Sequence, residues 1–376
     1  MTLLIIILLL LILSIFMVDF ILVFHTWQSR IKIGKFQHDI LWKKAVLKKS
    51  LHWLNHLPST KIKDSNHLII IDILKKQYTN HTVQFWQEAS LLSGIYSVYK
   101  KNPSEEMKKE ILKFTNKKID ENGHWKNKPT EVDACWLGYE LMNIDFLDQE
   151  KMKPALDHLY QLILERIGED RTVMYRKHTS NYRYVDTIGF ICPFLVKYGL
   201  AFNNEEAVNL AFTQIKEYEK YGLLPSKIPC HAYEIHAHNP VGIFGWGRGA
   251  AWLILGVLNT YKTLPEDDVQ RQDLKNLLEK LANSLSKYQQ TNGGFSWSLF
   301  INDRIDSSAT AVFAWFLKKM GRQREAYFAL EYLKSVTRRN GAVDFSQGDT
   351  KGIGVYSQNF DILPFTQGFI LKALNQ

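Results

Sequence analysis

The chain carries only three cysteines, Cys135, Cys192 and Cys230, in 376 residues. An odd number cannot all pair internally and no two form a C-x-x-C motif, which excludes a disulfide scaffold and argues against a zinc site. Free, buried thiols in a reducing compartment are the expectation. The chain also lacks any run in which branched residues alternate with polar ones, so a sheet-based domain is excluded. Nor does a linker divide the region after residue 60, which reads as one domain.

What the chain has in quantity is positive charge and aromatic rings. The formal net charge is +9, with a pI near 9.1, a balance that favours anionic partners such as nucleic acid, lipid headgroups or acidic polysaccharide. Much of the excess is local. Arg30, Lys32, Lys35, Lys43, Lys44, Lys48 and Lys49 follow an apolar stretch with only Asp39 against them, so the cluster reads as a membrane flank and not as a nucleic-acid footprint. That stretch, residues 3–24, holds a single charge, Asp19. It is long enough to cross a hydrocarbon core. No basic residue precedes it and no small-x-small cleavage site follows, which favours an uncleaved anchor over a signal peptide. Residues 1–30 are therefore expected as anchor and flank. Residues 31–60, with Ile40, Leu41, Leu47, Leu51 and Leu54 among lysines, are expected as a juxtamembrane helix, either interfacial and amphipathic or an ordinary helix leading into the domain. The positive-inside rule puts the main domain in the cytoplasm.

From residue 61 to 376 the periodicity is helical, as in Leu156-Leu159-Leu162-Ile163 and Leu274-Leu277-Leu278-Leu281. A loose punctuation recurs between helices. It reads Asn122-Gly123-His124-Trp125, Gly168-Glu169-Asp170, Tyr221-Gly222-Leu223-Leu224, Asn292-Gly293-Gly294-Phe295 and Asn340-Gly341-Ala342-Val343. A glycine that turns the chain before an aromatic or branched residue suits a short link between paired helices. Five visible copies and one ill-marked copy predict six helix pairs closing into an all-α (α/α)6 barrel, a six-hairpin toroid.

Carboxylates embedded in apolar segments are the candidates for acid–base chemistry, because desolvation raises their pKa. Asp186 lies in Tyr184-Val185-Asp186-Thr187-Ile188-Gly189-Phe190, and Asp133 in Val132-Asp133-Ala134-Cys135-Trp136. Each could instead cap a helix. A further segment joins Cys230-His231-Ala232-Tyr233 to Gly245-Trp246-Gly247-Arg248-Gly249-Ala250-Ala251-Trp252. Its glycines would let backbone approach a ligand, Arg248 offers a planar fork for a carboxylate, and Trp246 and Trp252 offer stacking faces. His231, His236 and His238 have no carboxylate or cysteine at ligand spacing, so no metal is expected.

At these residues the chain resembles the unsaturated glycuronyl and rhamnogalacturonyl hydrolases, glycoside hydrolase families 88 and 105. The resemblance rests on Tyr184-Val185-Asp186-Thr187, Pro193-Phe194, His231-Ala232-Tyr233, Gly245-Trp246-Gly247-Arg248-Gly249 and Asp306-Ser307-Ser308-Ala309-Thr310-Ala311. It implies an (α/α)6 barrel without metal or organic cofactor that acts on an acidic oligo- or polysaccharide. An acid protonates the C4=C5 bond of an unsaturated uronic acid, water adds at C5, and the hemiketal collapses. By that resemblance Asp186 is the general acid/base and Asp133 the second essential carboxylate, while His231, Trp246 and Arg248 line the substrate. The family string R-G-N-G-W stands here as Arg248-Gly249-Ala250-Ala251-Trp252, which removes a polar group. An anchor suits surface-polysaccharide processing. It also suits a second reading, a catalytically silent protein of a membrane polysaccharide machine. A terpene-cyclase-like toroid is a third, suggested by Gln289-Gln290-Thr291-Asn292-Gly293-Gly294-Phe295-Ser296-Trp297, but no D-x-D-D motif accompanies it.

Overall fold

The computed structural model describes residues 2–58, 68–75 and 84–375. Three helices come first: α1 (Thr2–Arg30), α2 (Asp39–Asn55) and the short α3 (Ile69–Leu74). Then follow α4 (Phe85–Lys101), α5 (Glu105–Lys118), α6 (Ala134–Met142), α7 (Lys153–Leu164), α8 (Val185–Ala201) and α9 (Glu205–Tyr221). The last five are α10 (Gly247–Thr263), α11 (Arg271–Leu285), α12 (Ser307–Lys319), α13 (Gln323–Ser335) and α14 (Pro364–Leu374).

Burial sorts the helices into two layers. In α12 every residue from Ser307 to Leu317 is buried, whereas α11 buries only the stripe Leu274, Leu277, Leu278, Leu281, Ala282 and Leu285 with Ser284. A helix apolar on all sides must be walled in; one with a single stripe forms the wall. The inner helices α4, α6, α8, α10, α12 and α14 touch in that order and α14 returns to α4, closing a ring. Closure is backbone on backbone: a Cβ on Gly368 would lie 1.9 Å from the carbonyl oxygen of Ser90. The expected six-hairpin toroid is thus the architecture observed.

The sixth outer helix is α2. Its Trp42, Val46, Trp53 and Leu54 are buried, and it packs on α14, α4 and α5. The segment expected as a juxtamembrane helix therefore includes part of the toroid, and its lysines are the solvated side of an outer-layer helix. The expected boundary between residues 60 and 61 lies outside the described residues.

The recurrent punctuation is a three-residue turn that ends the outer helices, and all five copies share one bonding pattern. Asp120 N–H reaches His124 O while Gly123 N–H reaches Asp120 O. The same pair of bonds recurs at Gly168/Thr172, Leu224/Ile228, Gln290/Gly294 and Arg338/Ala342. The residue before each second member must be left-handed. Three copies place Gly123, Gly293 and Gly341 there, but the other two place Arg171 (φ 60°) and Lys227 (φ 66°). So Gly168 and Gly222, expected as the turning glycines, are not the left-handed residues. At Gly341 glycine is also required by space, since a Cβ would lie 2.2 Å from Ala45 O on α2.

After each turn the chain crosses inward and starts the next inner helix, so these connections and the inner-helix N-termini share one end of the toroid. Two small antiparallel sheets brace the crossings. One joins β1 (Tyr182–Tyr184), β2 (Ala232–Glu234) and β3 (Pro240–Val241); the other joins β4 (Ser346–Gln347) and β5 (Phe360–Asp361). Helix α1 is long and apolar enough to cross a membrane, and none of its most apolar window is buried. Its C-terminal part is tied down. Asp19 accepts the backbone N–H groups of Leu68 and Ile69 at the start of α3. Arg30 is ion-paired to Asp344 at 2.7 Å.

Candidate active site

At that end of the toroid lies a cavity of about 610 Å³, lined by residues of the α7–α8, α9–α10 and α13–α14 connections and by the first turns of α4, α8 and α10. Asp186 occupies the second position of α8 and is only 8% exposed. One of its carboxylate oxygens, Oδ2, has no hydrogen-bond partner. Burial in that cavity pushes its pKa up to about 7, against smaller opposing contributions from its own backbone N–H and from Arg248. A carboxyl in this state is half protonated near neutrality and can both donate and accept a proton.

Asp133 stands at the N-cap position of α6 but makes no capping bond. It too is buried and pushed up to about 7, chiefly by desolvation, with Arg176 opposing and Glu131 and Asp349 adding to the rise. It is not among the residues that line the cavity. Its charge is felt by Tyr175 and Arg176, which are. Neither aspartate is therefore a conventional helix cap.

His231, Trp246, Arg248 and Trp252 all line the same cavity as Asp186. His231 Nε2 lies 3.9 Å from Asp186 Oδ2, and its Nδ1 is 3.2 Å from the Tyr356 hydroxyl. That hydroxyl accepts the Ile243 N–H at 3.1 Å. The hydroxyl is thus held between that backbone and the imidazole, whose Nε2 is the ring nitrogen on the side of Asp186. Burial and the neighbouring Arg248 push the imidazole down to about 4, so it is neutral throughout the range in which Asp186 titrates.

Arg248 lines the cavity and also holds its wall. Its two terminal nitrogens donate to the carbonyls of Gln347 at 2.5 Å and Gly348 at 2.6 Å. Two of its five N–H donors thus fix the α13–α14 connection, and through it Asp349. Trp246 reinforces the same strap by donating its indole N–H to Gln347 Oε1 at 3.1 Å. Asp306, the buried N-cap of α12, accepts the N–H groups of both Ser308 and Gln347. Trp252 forms the cavity floor, with the rings of Phe190 at 4.5 Å and Trp86 at 5.4 Å packed on it. Gly249 is required by packing: a Cβ there would meet the Trp246 ring at 2.6 Å.

The three histidines are separated by function. His236 sits 3.3 Å from Glu169 on the surface, and His238 stacks on Tyr221 with centroids 3.8 Å apart. Among the described residues no group of three His, Cys, Asp or Glu side chains is placed to hold a metal. All three cysteines are buried and free.

Several site residues escaped the sequence reading. Arg176 enters the cavity from the α7–α8 connection, paired to Glu131 at 2.9 Å. Asp349 lies on the opposite wall, accepting from Gln84 at 2.8 Å. It is accessible to solvent, yet protein surrounds it closely enough to raise its carboxyl. Gln347-Gly348-Asp349-Thr350-Lys351-Gly352, a polar, glycine-bearing run between two helices, was the available signal.

The model of the family described as Glycosyl Hydrolase Family 88 matches residues 57–358. Among solved structures, a Salmonella enterica protein described as a possible member of glycoside hydrolase family 105 is 18% identical and superposes with a TM-score of 0.74 over 91% of this chain and 95% of its own. A family 105 glycoside hydrolase of C. acetobutylicum, also 18% identical, has a TM-score of 0.66 over 82% and 97%. The unsaturated glucuronyl hydrolase of Bacillus sp. GL1, responsible for the degradation of glycosaminoglycan, is 15% identical with a TM-score of 0.64 over 93% and 96%. No curated protein sequence matches the chain.

Proposed function

Given that the chain belongs to glycosyl hydrolase family 88 and is a glycosidase, we propose that it hydrolyses acidic saccharides ending in an unsaturated uronyl residue, with Asp186 as general acid and base. The observation that carries this reading is a carboxyl held near a pKa of 7 in a cavity, with an oxygen that no protein group satisfies. In the proposed reaction the Asp186 carboxylic acid gives its proton to C4 of the C4=C5 bond. Positive charge develops at C5 and the ring oxygen. Water adds at C5 and returns a proton to the Asp186 carboxylate. The hemiketal opens, and the bond to the next sugar breaks as it does so.

Arg176, Arg248 and Lys351 line the cavity and favour an anionic sugar. The neutral His231, with Nε2 on the side of Asp186, suits a hydrogen-bond partner for a sugar hydroxyl. Asp133 is assigned the second carboxylate role; it acts at a distance, through the field it sets at Tyr175 and Arg176. The exposed apolar helix α1 supports a membrane anchor, and with it a role in processing surface polysaccharide on the cytoplasmic side.

Loss of the enol-ether absorbance of an unsaturated uronyl disaccharide measures the reaction. Asp186→Asn is expected to lower kcat by about 10²–10⁴-fold, the usual worth of a general acid–base group. Wild-type protein that leaves every linkage of such disaccharides intact would refute the substrate class.

A further inference from the structure

We propose that the end of the toroid bearing the cavity mouth is seated on a lipid bilayer, with α3 and the tips of the α11–α12 and α13–α14 connections in the headgroup layer. The inference rests on the anchor reading of α1 and adds an orientation to it. Val23, Trp27 and Arg30 of α1 share a second cavity, about 730 Å³, with Arg304, Phe360 and Asp361 from those two connections. The α13–α14 connection also supplies Asp349 and Lys351 to the catalytic cavity. The helix that would enter the lipid therefore leaves from the same end of the molecule as the mouth.

The exposed side chains agree with that placement. Asp19 of α1 caps α3 through the Leu68 and Ile69 N–H groups, and α3 and the residue before it display Leu68, Ile71, Ile73 and Leu74 to solvent. The α11–α12 connection exposes Phe300 and Ile301, and the α13–α14 connection exposes Val355. Both tips adjoin the mouth. The Leu299 N–H bonds to Gly245 O at 2.7 Å, next to Trp246. Val355 adjoins Tyr356, whose hydroxyl meets His231. Apolar side chains around a mouth, beside an apolar helix of spanning length, are the pattern of a body resting about 5–10 Å into the interface. Helix α3 packs on α1, and both connections share the second cavity with it, so one bilayer accounts for all of them. An enzyme held this way draws its saccharide from chains that are themselves carried at the membrane surface.

Single cysteines test the placement, because the three native thiols are buried. Ile71→Cys, Ile301→Cys and Val355→Cys, with Val269→Cys as control, are labelled with an environment-sensitive fluorophore in the full-length protein. Val269 is exposed between α10 and α11, where an inner helix ends. The proteins are reconstituted in phosphatidylcholine–phosphatidylglycerol vesicles containing headgroup-region spin-labelled lipid. Loss of fluorescence at 71, 301 and 355 but not at 269 is expected. Equal quenching at all four positions, or none at 301 and 355, overturns the proposal. An Ile12→Cys label reports insertion of α1 separately: quenching there without quenching at 301 and 355 keeps the anchor and sinks the seating. Shielding that grows with protein concentration in detergent, without lipid quenching, assigns the patch to a second copy and also overturns it. None of these readouts uses activity, so the substrate proposal stands or falls on its own assay.

Discussion

A buried carboxyl pushed to about 7 makes two separable statements about Asp186. The first concerns rate. The donating form is the protonated one, so turnover should fall as pH rises through about 7, while His231, neutral above about 4, supplies no limb in that range. A pH profile of kcat/KM that stays flat from 6 to 9 would contradict the assignment. The second concerns stability. An acid with a raised folded-state pKa binds its proton more tightly when folded, so its contribution to stability is present at low pH. That contribution is lost as pH rises from the unfolded value towards the folded one. Each unit is worth about 1.4 kcal/mol. Asp186→Asn, which cannot ionise, should therefore unfold at a higher temperature than wild type at pH 8, with the gap closing towards pH 5. Arg248→Lys should disconnect the strap that carries Asp349, because an ammonium cannot serve two carbonyls in one plane. About a tenfold rise in KM, exceeding any fall in kcat, is expected from steady-state kinetics. At this scale Asp186, His231 and Arg248 were legible because each interrupts an apolar or glycine-rich string. Arg176, Asp349 and Tyr356 were not, because they sit in polar connections whose approach to one cavity is set by the ring and leaves no local pattern. The second task of Arg248, holding carbonyls a hundred residues away, was not legible for the same reason.

Among elements, the repeated turn shows what sequence can and cannot specify. Three copies advertise themselves through glycine, but Arg171 and Lys227 adopt the same left-handed geometry without it. The neighbouring bonds hold them there, at a cost of about 1–2 kcal/mol for a residue with a Cβ. Lys227→Gly should relieve that strain and leave stability unchanged or raised by about 1 kcal/mol, since glycine gives back some of the gain as unfolded-state entropy. Gly341→Ala should do the reverse, at about 2–4 kcal/mol, because it adds both strain and a clash with Ala45 O. Denaturant melts of the two variants would decide the matter. Helix α2 was open to two readings, an interfacial helix or one leading into the domain. Its lysines suggest lipid, while its buried Trp42 and Trp53 belong to a helix packed on α14, α4 and α5.

For the whole molecule, the fold class was legible because inner and outer helices differ in how much of their surface is apolar, and that difference is written along the chain. Where the ring closes was not legible. Its seam joins α4 to α14 by glycines that face each other's backbone. Gly368→Val should prevent the seam from forming, and the protein should then lose its cooperative thermal transition.

That seam also orders events in time. The first inner helix must wait for the last, so the toroid cannot close until α14 has left the ribosome. Until then the unfinished arc would stand with Trp136 and Trp252 uncovered, waiting for Phe365 and Phe369 to roof them. Biogenesis of this protein is thus a problem of shielding an open ring during synthesis, and α14 holds the lid.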